Sequence, residues 1–211
     1  MPDESTQALV SAFKEKAELV AARVSQAADP AEALRLVVRI CEEKAPCELL
    51  APEPGTETGP PSENKLPTRA RRIIAAPGLS GEEFALLEKE GGAKGFLTIK
   101  SGLRKYLAGF DVGLAWADFA VAASGTCAVN TTDEEVRLAT MICESSVILL
   151  RKSSIKPDLA SIAPRLRDMQ KTGRPEYTTF ITGPSRTADI ERVLAIGVHG
   201  PLELHVILLE G

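Results

Sequence analysis

Histidine, tryptophan and closely paired cysteine are all scarce in this sequence of 211 residues, which has two histidines, one tryptophan and four cysteines, with aromatic residues at 4%. Cys41, Cys47, Cys127 and Cys143 show none of the two-residue spacings common at metal and redox sites, so the chain is not expected to hold a metal or an iron–sulfur cluster. They read as reduced, buried thiols of a cytosolic protein, although the spacing of Cys41 and Cys47 also permits a disulfide. No run of about 18 apolar residues exists to span a membrane, and the start MPDESTQALV lacks the basic flank and apolar core of a signal peptide. The expectation is therefore a cytoplasmic protein. Excess positive charge is missing too: 25 Lys and Arg face 29 Asp and Glu, for a net charge of −4. The basic residues are scattered among acids, which leaves no continuous face for nucleic-acid phosphates. Neither the G-x-G-x-x-G fingerprint nor the G-x-x-x-x-G-K-S/T loop occurs, and no G-x-S-x-G elbow surrounds Ser124, which weighs against nicotinamide hydride transfer, P-loop phosphoryl transfer and serine hydrolysis.

What is present is an α/β rhythm. Leu9, Phe13, Val20 and Val24 recur near helical spacing, so Ser5 to Ala28 reads as an amphipathic helix. Asp29-Pro30 with Glu32 predicts an N-cap and the start of a second helix, whose apolar stripe is Leu34, Val37, Val38 and Cys41. Residues 1–45 thus form an N-terminal helical extension, and 46–211 an α/β domain. Residues 47–51 suit a short strand, and 51–67 are too rich in Pro, Gly and polar residues to pack, reading as a mobile surface loop. Arg72 to Ala76 reads as a strand, and Ser80 with Glu83 as a capping box opening a helix. Strands follow at 95–99, 111–116, 118–123, 127–130, 145–152, 177–181 and 204–209, with helices at 133–143 and 156–171 and a short one opening near Ala188. Short apolar strands separated by helices imply parallel pairing, while the closely spaced segments near 111–130 look antiparallel. The prediction is an open mixed sheet with helices on both faces.

Chemistry gathers in the run from Thr179 to Glu210. Gly183-Pro184-Ser185-Arg186-Thr187 joins a strand to the expected helix: glycine permits close approach, Ser185 or Thr187 can cap, and Arg186 supplies a planar cation. The corner can hold a carboxylate or phosphate by charge-assisted hydrogen bonds, or it can be a plain capped turn with Arg186 on Asp189 or Glu191. His199 lies beside Gly200-Pro201 and is the acid/base candidate, because a histidine titrates near neutral pH. His205 alternates with apolar residues in a strand and reads as a hydrogen-bonded sheet histidine. Gly125 and Thr126, after Ser124, break two extended segments and offer a small residue and a hydroxyl to a ligand. Asp118 reads equally as a cap, a hydrogen-bond organiser or a cleft carboxylate.

These residues carry a resemblance. Ile181 to Glu191 (ITGPSRTADIE), Gly197-Val198-His199-Gly200-Pro201 and Glu203-Leu204-His205-Val206, with Asp111-Val112-Gly113, Ala117 to Ala122 and Gly125-Thr126 upstream, resemble the lactate utilisation (LUD) domain family, in its lactate utilisation protein C branch. One departure is Ala123-Ser124, where family members usually carry an acidic residue and threonine. The resemblance implies a three-layer α/β fold similar to phosphosugar isomerases, deaminases and CoA transferases. It implies a cluster-free subunit of an L-lactate-oxidising, dehydrogenase-type complex, with iron–sulfur clusters on partner subunits. His199 and Asp118 are then the candidate catalytic residues, and Gly183, Ser185, Arg186, Thr187, Gly125 and Thr126 the candidate anion site. A stand-alone enzyme on a phosphosugar or acyl-CoA, and a non-catalytic interaction module, stay open beside this reading.

Overall fold

The computed structural model describes residues 4–48, 58–106, 108–171, 176–187, 195–196 and 200–210. Helix α1 (Glu4–Leu19) buries Val10, Phe13 and Ala17 along one stripe. It ends well before the predicted Ala28. Ala21 takes a positive φ of 66°, and the chain reverses into strand β1 (Ala22–Ala27), which pairs in parallel with β14 (Glu203–Leu209) from Ala22↔Leu204 to Ala27↔Leu209. Val20 and Val24 fit a helix by spacing, but residues 22–27 find a sheet edge on β14, and tertiary pairing overrides a weak local preference.

Helix α2 (Pro30–Glu43) starts as the sequence predicts: Asp29 Oδ1 accepts from the Glu32 N–H at 2.7 Å, and Glu32 returns a carboxylate to the Ala28 N–H at 2.7 Å. Strands β2 (Thr58–Gly59) and β3 (Thr68–Arg69) pair across the latter part of the predicted loop, so residues 58–69 form a local hairpin; 49–57 lie outside the described residues. Of the strand predicted at 47–51, the described part gives one bridge, Glu48 to Thr68. Strand β4 (Ile73–Ala75), helix α3 (Gly81–Ala93) and strand β5 (Leu97–Ile99) follow the expected order, and the Ser80–Glu83 capping box is formed in both directions.

After a 3-10 turn at Leu103–Tyr106 come β6 (Phe110–Trp116), β7 (Phe119–Val121), β8 (Thr126–Asn130), α4 (Glu134–Met141) and β9 (Cys143–Arg151). The chain continues through β10 (Ile155–Lys156), α5 (Leu159–Gln170), β11 (Thr178–Ile181), β12 (Arg186–Thr187), β13 (Ala195–Ile196) and β14. Residues 188–194, where a short helix was expected, lie outside the described residues, and their flanks pair as β12 and β13.

The mixed character resolves into two main sheets beside the small β2–β3 and β12–β13 pairs. Six parallel strands run in the order β1-β14-β9-β6-β4-β5, and a smaller sheet runs β10-β7-β8-β11 with antiparallel pairing around β8. Helices α2 and α3 cover one face of the large sheet, where Leu34, Val37 and Leu87 meet Val112, Val147 and Ile207. On the other face, Phe13 and Ala17 of α1 pack with Ile148, Val206 and Leu208 and with Ala120 and Cys127 of the small sheet. Helix α5 covers that sheet through Ile162, packed with Phe119, Val121 and Ala128. Among the described residues, no helix is long and apolar enough to cross a membrane.

Candidate functional site

Two sequence segments more than fifty residues apart meet against the carboxyl end of α1. Gly125 turns the chain between β7 and β8 with φ +64°, and a Cβ there would come within 2.3 Å of the Ala17 nitrogen. Gly183 follows β11 with φ +72°, and a Cβ there would come within 2.4 Å of the Val20 carbonyl oxygen. Both glycines therefore admit the backbone of α1, a packing reason for their type. Three hydroxyls link the segments: Ser124 Oγ lies 2.7 Å from Thr126 Oγ1, which lies 2.8 Å from Thr182 Oγ1. Arg186 is exposed and donates from Nη2 to the Val20 carbonyl at 2.7 Å. A cation at the last turn of α1 meets the negative end of the helix dipole, so the corner clamps α1 with two glycines and a guanidinium.

On the far side of Thr182 lies a cleft of about 250 Å³, bounded by Thr140 and Met141 at the end of α4, Ser146 of β9, residues 179–185, Gly200, Pro201 and Leu204. Its corner is pinned where the Ser185 N–H donates to the Pro201 carbonyl at 2.9 Å. Gly200 allows this approach, because a Cβ there would stand 3.0 Å from the Ser185 side chain. Ser146 itself is 1% exposed, and its Oγ, shut off from solvent, has the Cys143 thiol as its polar neighbour among the described residues.

Of the residues singled out by sequence, Gly183 and Ser185 line this cleft, and Thr126 stands behind it through Thr182. Gly125 lies under α1, Arg186 follows Ser185 and faces α1, and Thr187 is placed in β12. His199 lies outside the described residues. Asp118 sits at the other end of the β7–β8 hairpin, about 10 Å along the strand from the Gly125 turn. There it accepts from the Asn130 N–H at 2.7 Å and faces Arg165 at 3.7 Å, as a hydrogen-bond organiser. His205 is buried with Nε2 3.0 Å from Glu203 Oε2, and Arg23 of β1 stands 2.9 Å from the same carboxylate. Burial opposes ionisation of Glu203, but the His205 hydrogen bond and the Arg23 charge outweigh it and hold the carboxyl below its ordinary range.

Sequence reasoning missed Ser146, Thr140 and Thr182. It also passed over an ionic knot at the amino ends of β4 and β6. Buried Asp111 accepts from the Ile73 N–H at 2.8 Å, the Cys47 N–H at 3.3 Å and Lys44 Nζ at 3.2 Å. Lys44 also meets Glu144 at 2.7 Å, and Arg69 donates to the Gly109 carbonyl at 2.7 Å. The available signal was a carboxylate inside an otherwise apolar strand, which must be paired when buried. Beside this knot a larger hollow of about 540 Å³ carries Glu48, Glu63 and Glu144 on its rim, a poor setting for an anion.

The four thiols are free and buried. Cys41, Cys127 and Cys143 pack in three separate hydrophobic clusters, and burial pushes each of their pKa values up to about 12. Burial raises the Cys47 thiol as well. Burial thus favours the neutral thiol at all four positions. Among the described residues, no group of three or more His, Cys, Asp and Glu side chains is arranged to hold a metal ion.

Comparison with known proteins gives concordant results. The profile of the family described as LUD domain matches residues 10–209. Lactate utilization protein C of Oceanobacillus iheyensis is 31% identical over 102 residues, covering 47% of this chain and 44% of that protein. Lactate utilization protein C 1 of Bacillus mycoides is 32% identical over 108 residues, covering 50% and 46%. An uncharacterised Escherichia coli K12 protein, YkgG, is 35% identical over 101 residues, covering 47% and 44%. The match thus spans less than half the length of these curated relatives. A crystal structure of a DUF162 family protein from Deinococcus radiodurans superposes with a TM-score of 0.56 at 16% identity, covering 98% of this chain and 99% of that one, a likeness of fold.

Proposed function

The chain belongs to the LUD domain family, and from that premise we propose that it works in lactate utilisation, as the cluster-free component of a cytoplasmic system that oxidises L-lactate to pyruvate. Each turnover releases two electrons and two protons, and the electrons pass to iron–sulfur clusters on partner subunits. Support for a partner comes from this chain's own chemistry, since its four thiols are buried and Cys41, Cys127 and Cys143 sit in separate clusters. The relatives named lactate utilization protein C support the substrate.

The observation that carries the reading is the corner from Thr182 to Arg186. Gly183 seats it on α1, Ser185 is pinned at the cleft, and Arg186 spends one N–H on Val20 while its guanidinium remains exposed. The remaining N–H groups suit the carboxylate of a small acid, which a guanidinium binds as a planar fork.

The test is reconstitution with the iron–sulfur partners from the same source, following L-lactate-dependent reduction of an artificial electron acceptor. Omitting the chain abolishes turnover, and Arg186→Gln raises the KM for lactate about tenfold or more with a smaller effect on kcat, as expected for a lost charged hydrogen bond. Full lactate oxidation without this chain overturns the reading.

A further inference from the structure

We propose that the open edge of β11 (Thr178–Ile181) is the contact surface for a second copy of this chain, joined by antiparallel pairing of β11 with the partner's β11 about a two-fold axis at Phe180. β11 ends the smaller sheet, so the pairing runs the two small sheets on into one across the dimer.

Edge strands carry unpaired backbone groups, and proteins shield them with charge, proline or brevity. The two main sheets end on β1 and β5 and on β10 and β11. β1 carries Arg23, exposed and paired with Glu203. β5 has three residues and runs straight into exposed Lys100, and β10 has two, one of them exposed Lys156. β11 has none of these devices. From Tyr177 to Thr182 the run YTTFIT contains no charge, proline or glycine, and every position is β-branched or aromatic, the composition of a strand meant to be paired. Yet no residue of β11 is buried, and Phe180 is 42% exposed. The contrast with the other three edges singles out β11.

Alternation decides which backbone groups are free. The Thr131 N–H donates to the Tyr177 carbonyl at 2.7 Å, and β11 pairs with β8 from Thr178↔Asn130 to Ile181↔Cys127. Tyr177, Thr179 and Ile181 thus turn their N–H and C=O groups toward β8, while Thr178, Phe180 and Thr182 turn theirs to the open side. Setting Phe180 opposite the partner's Phe180 sets Thr178 opposite the partner's Thr182. Every outward residue then meets an outward residue, and each such pair can exchange two hydrogen bonds. The same register brings the two Phe180 rings together on the face where Phe180 already meets Phe119 edge-on at 6.1 Å, which takes exposed aromatic surface out of water. A second copy suits this edge because identical uncharged strands meet without repulsion and the central aromatic meets its own image. Phe180 and Thr182 also border the cleft, so each copy adds a wall to the open side of its neighbour's cleft.

The test is analytical ultracentrifugation of the purified full chain. Between about 1 and about 200 μM the wild type is expected to show a reversible monomer–dimer equilibrium with a micromolar Kd, as suits a contact at the small end of the interface range. Phe180→Lys sets like charges opposite each other on the axis and removes the aromatic pair, and should weaken the dimer about tenfold or more, with the fold kept by circular dichroism. Phe180→Cys reads the register without depending on that variant. In a hydrogen-bonded antiparallel pair the Cα atoms stand about 5.5 Å apart, within the span of a disulfide, so mild oxidation should cross-link two copies through this position. Leu159→Cys, 63% exposed on α5, is the control and should not cross-link. A wild type that stays monomeric at the highest concentration, a dimer that Phe180→Lys leaves intact, or a Phe180→Cys that cross-links no faster than Leu159→Cys overturns the proposal.

Discussion

The Asp111 knot and the Ser146 cleft stand at the same end of the same parallel sheet, yet their polar groups are treated in opposite ways. Asp111 accepts from two backbone N–H groups and from Lys44, and Lys44 also donates to Glu144 and to the Ala45 carbonyl at 2.6 Å. Ser146 is as deeply buried and has no such company. The network at the strand ends ties α2, β4, β6 and β9 together, whereas the Ser146 hydroxyl meets only the Cys143 thiol, a weak partner. Perturbing the knot should therefore cost far more stability than removing the Ser146 hydroxyl.

The largest effect is expected from Asp111→Ala, which strands Lys44 and two backbone donors in the interior and should cost about 3–5 kcal/mol in urea unfolding. A loss below about 1 kcal/mol would break the contrast, since the knot would then be no better than a surface pair. Gly125→Ala comes next. It adds strain at φ +64° and drives a methyl to 2.3 Å from the Ala17 nitrogen, for about 2–4 kcal/mol together. Amide exchange along α1 should quicken in that variant, and a normally protected α1 would show that the glycine does not seat the helix.

Glu203→Gln gives the smallest stability effect and a pH signature. Because the folded carboxyl titrates below its ordinary value of 4.5, its stabilisation is present above that value and is lost as pH falls through the folded pKa. The variant should be weaker than wild type at pH 7 by less than about 1 kcal/mol, as suits a carboxylate that is partly screened by solvent. The two stability curves should converge below pH 4.5. A constant gap down to pH 3 would show that packing, and not charge, makes the difference.

Much of this fold was legible because local chemistry and tertiary structure agree. Asp29, Ser80 and Glu83 predict helix starts from capping geometry that needs only a few neighbouring residues, and the apolar runs of β9 and β14 can hardly be anything but buried strands. At the candidate site, Gly183 and Ser185 stand in the lining of a cleft, a placement that their local sequence does not specify. Gly125 and Gly183 looked like ligand approaches, but their missing side chains make room for α1, a partner far away in sequence. Asp118 looked like a cleft carboxylate as easily as an organiser, and only the hairpin register put it at the far end from Thr126. Ser146 was invisible because a serine at the head of an apolar strand has the same sequence signature whether its neighbour is a partner or a cavity.

The sequence alone determined the segments whose forces act within a turn or a strand: caps, amphipathic stripes, apolar β-runs and the polar corner at 183–187. Only tertiary structure decided that residues 22–27 leave the helix to pair with β14, that Arg186 spends a hydrogen bond on Val20, and which of two adjacent serines meets Glu203. The reason is range. Capping and periodicity are settled by neighbours in the chain, whereas pairing, close approach and the satisfaction of a buried hydroxyl depend on groups that meet only once the sheets have formed.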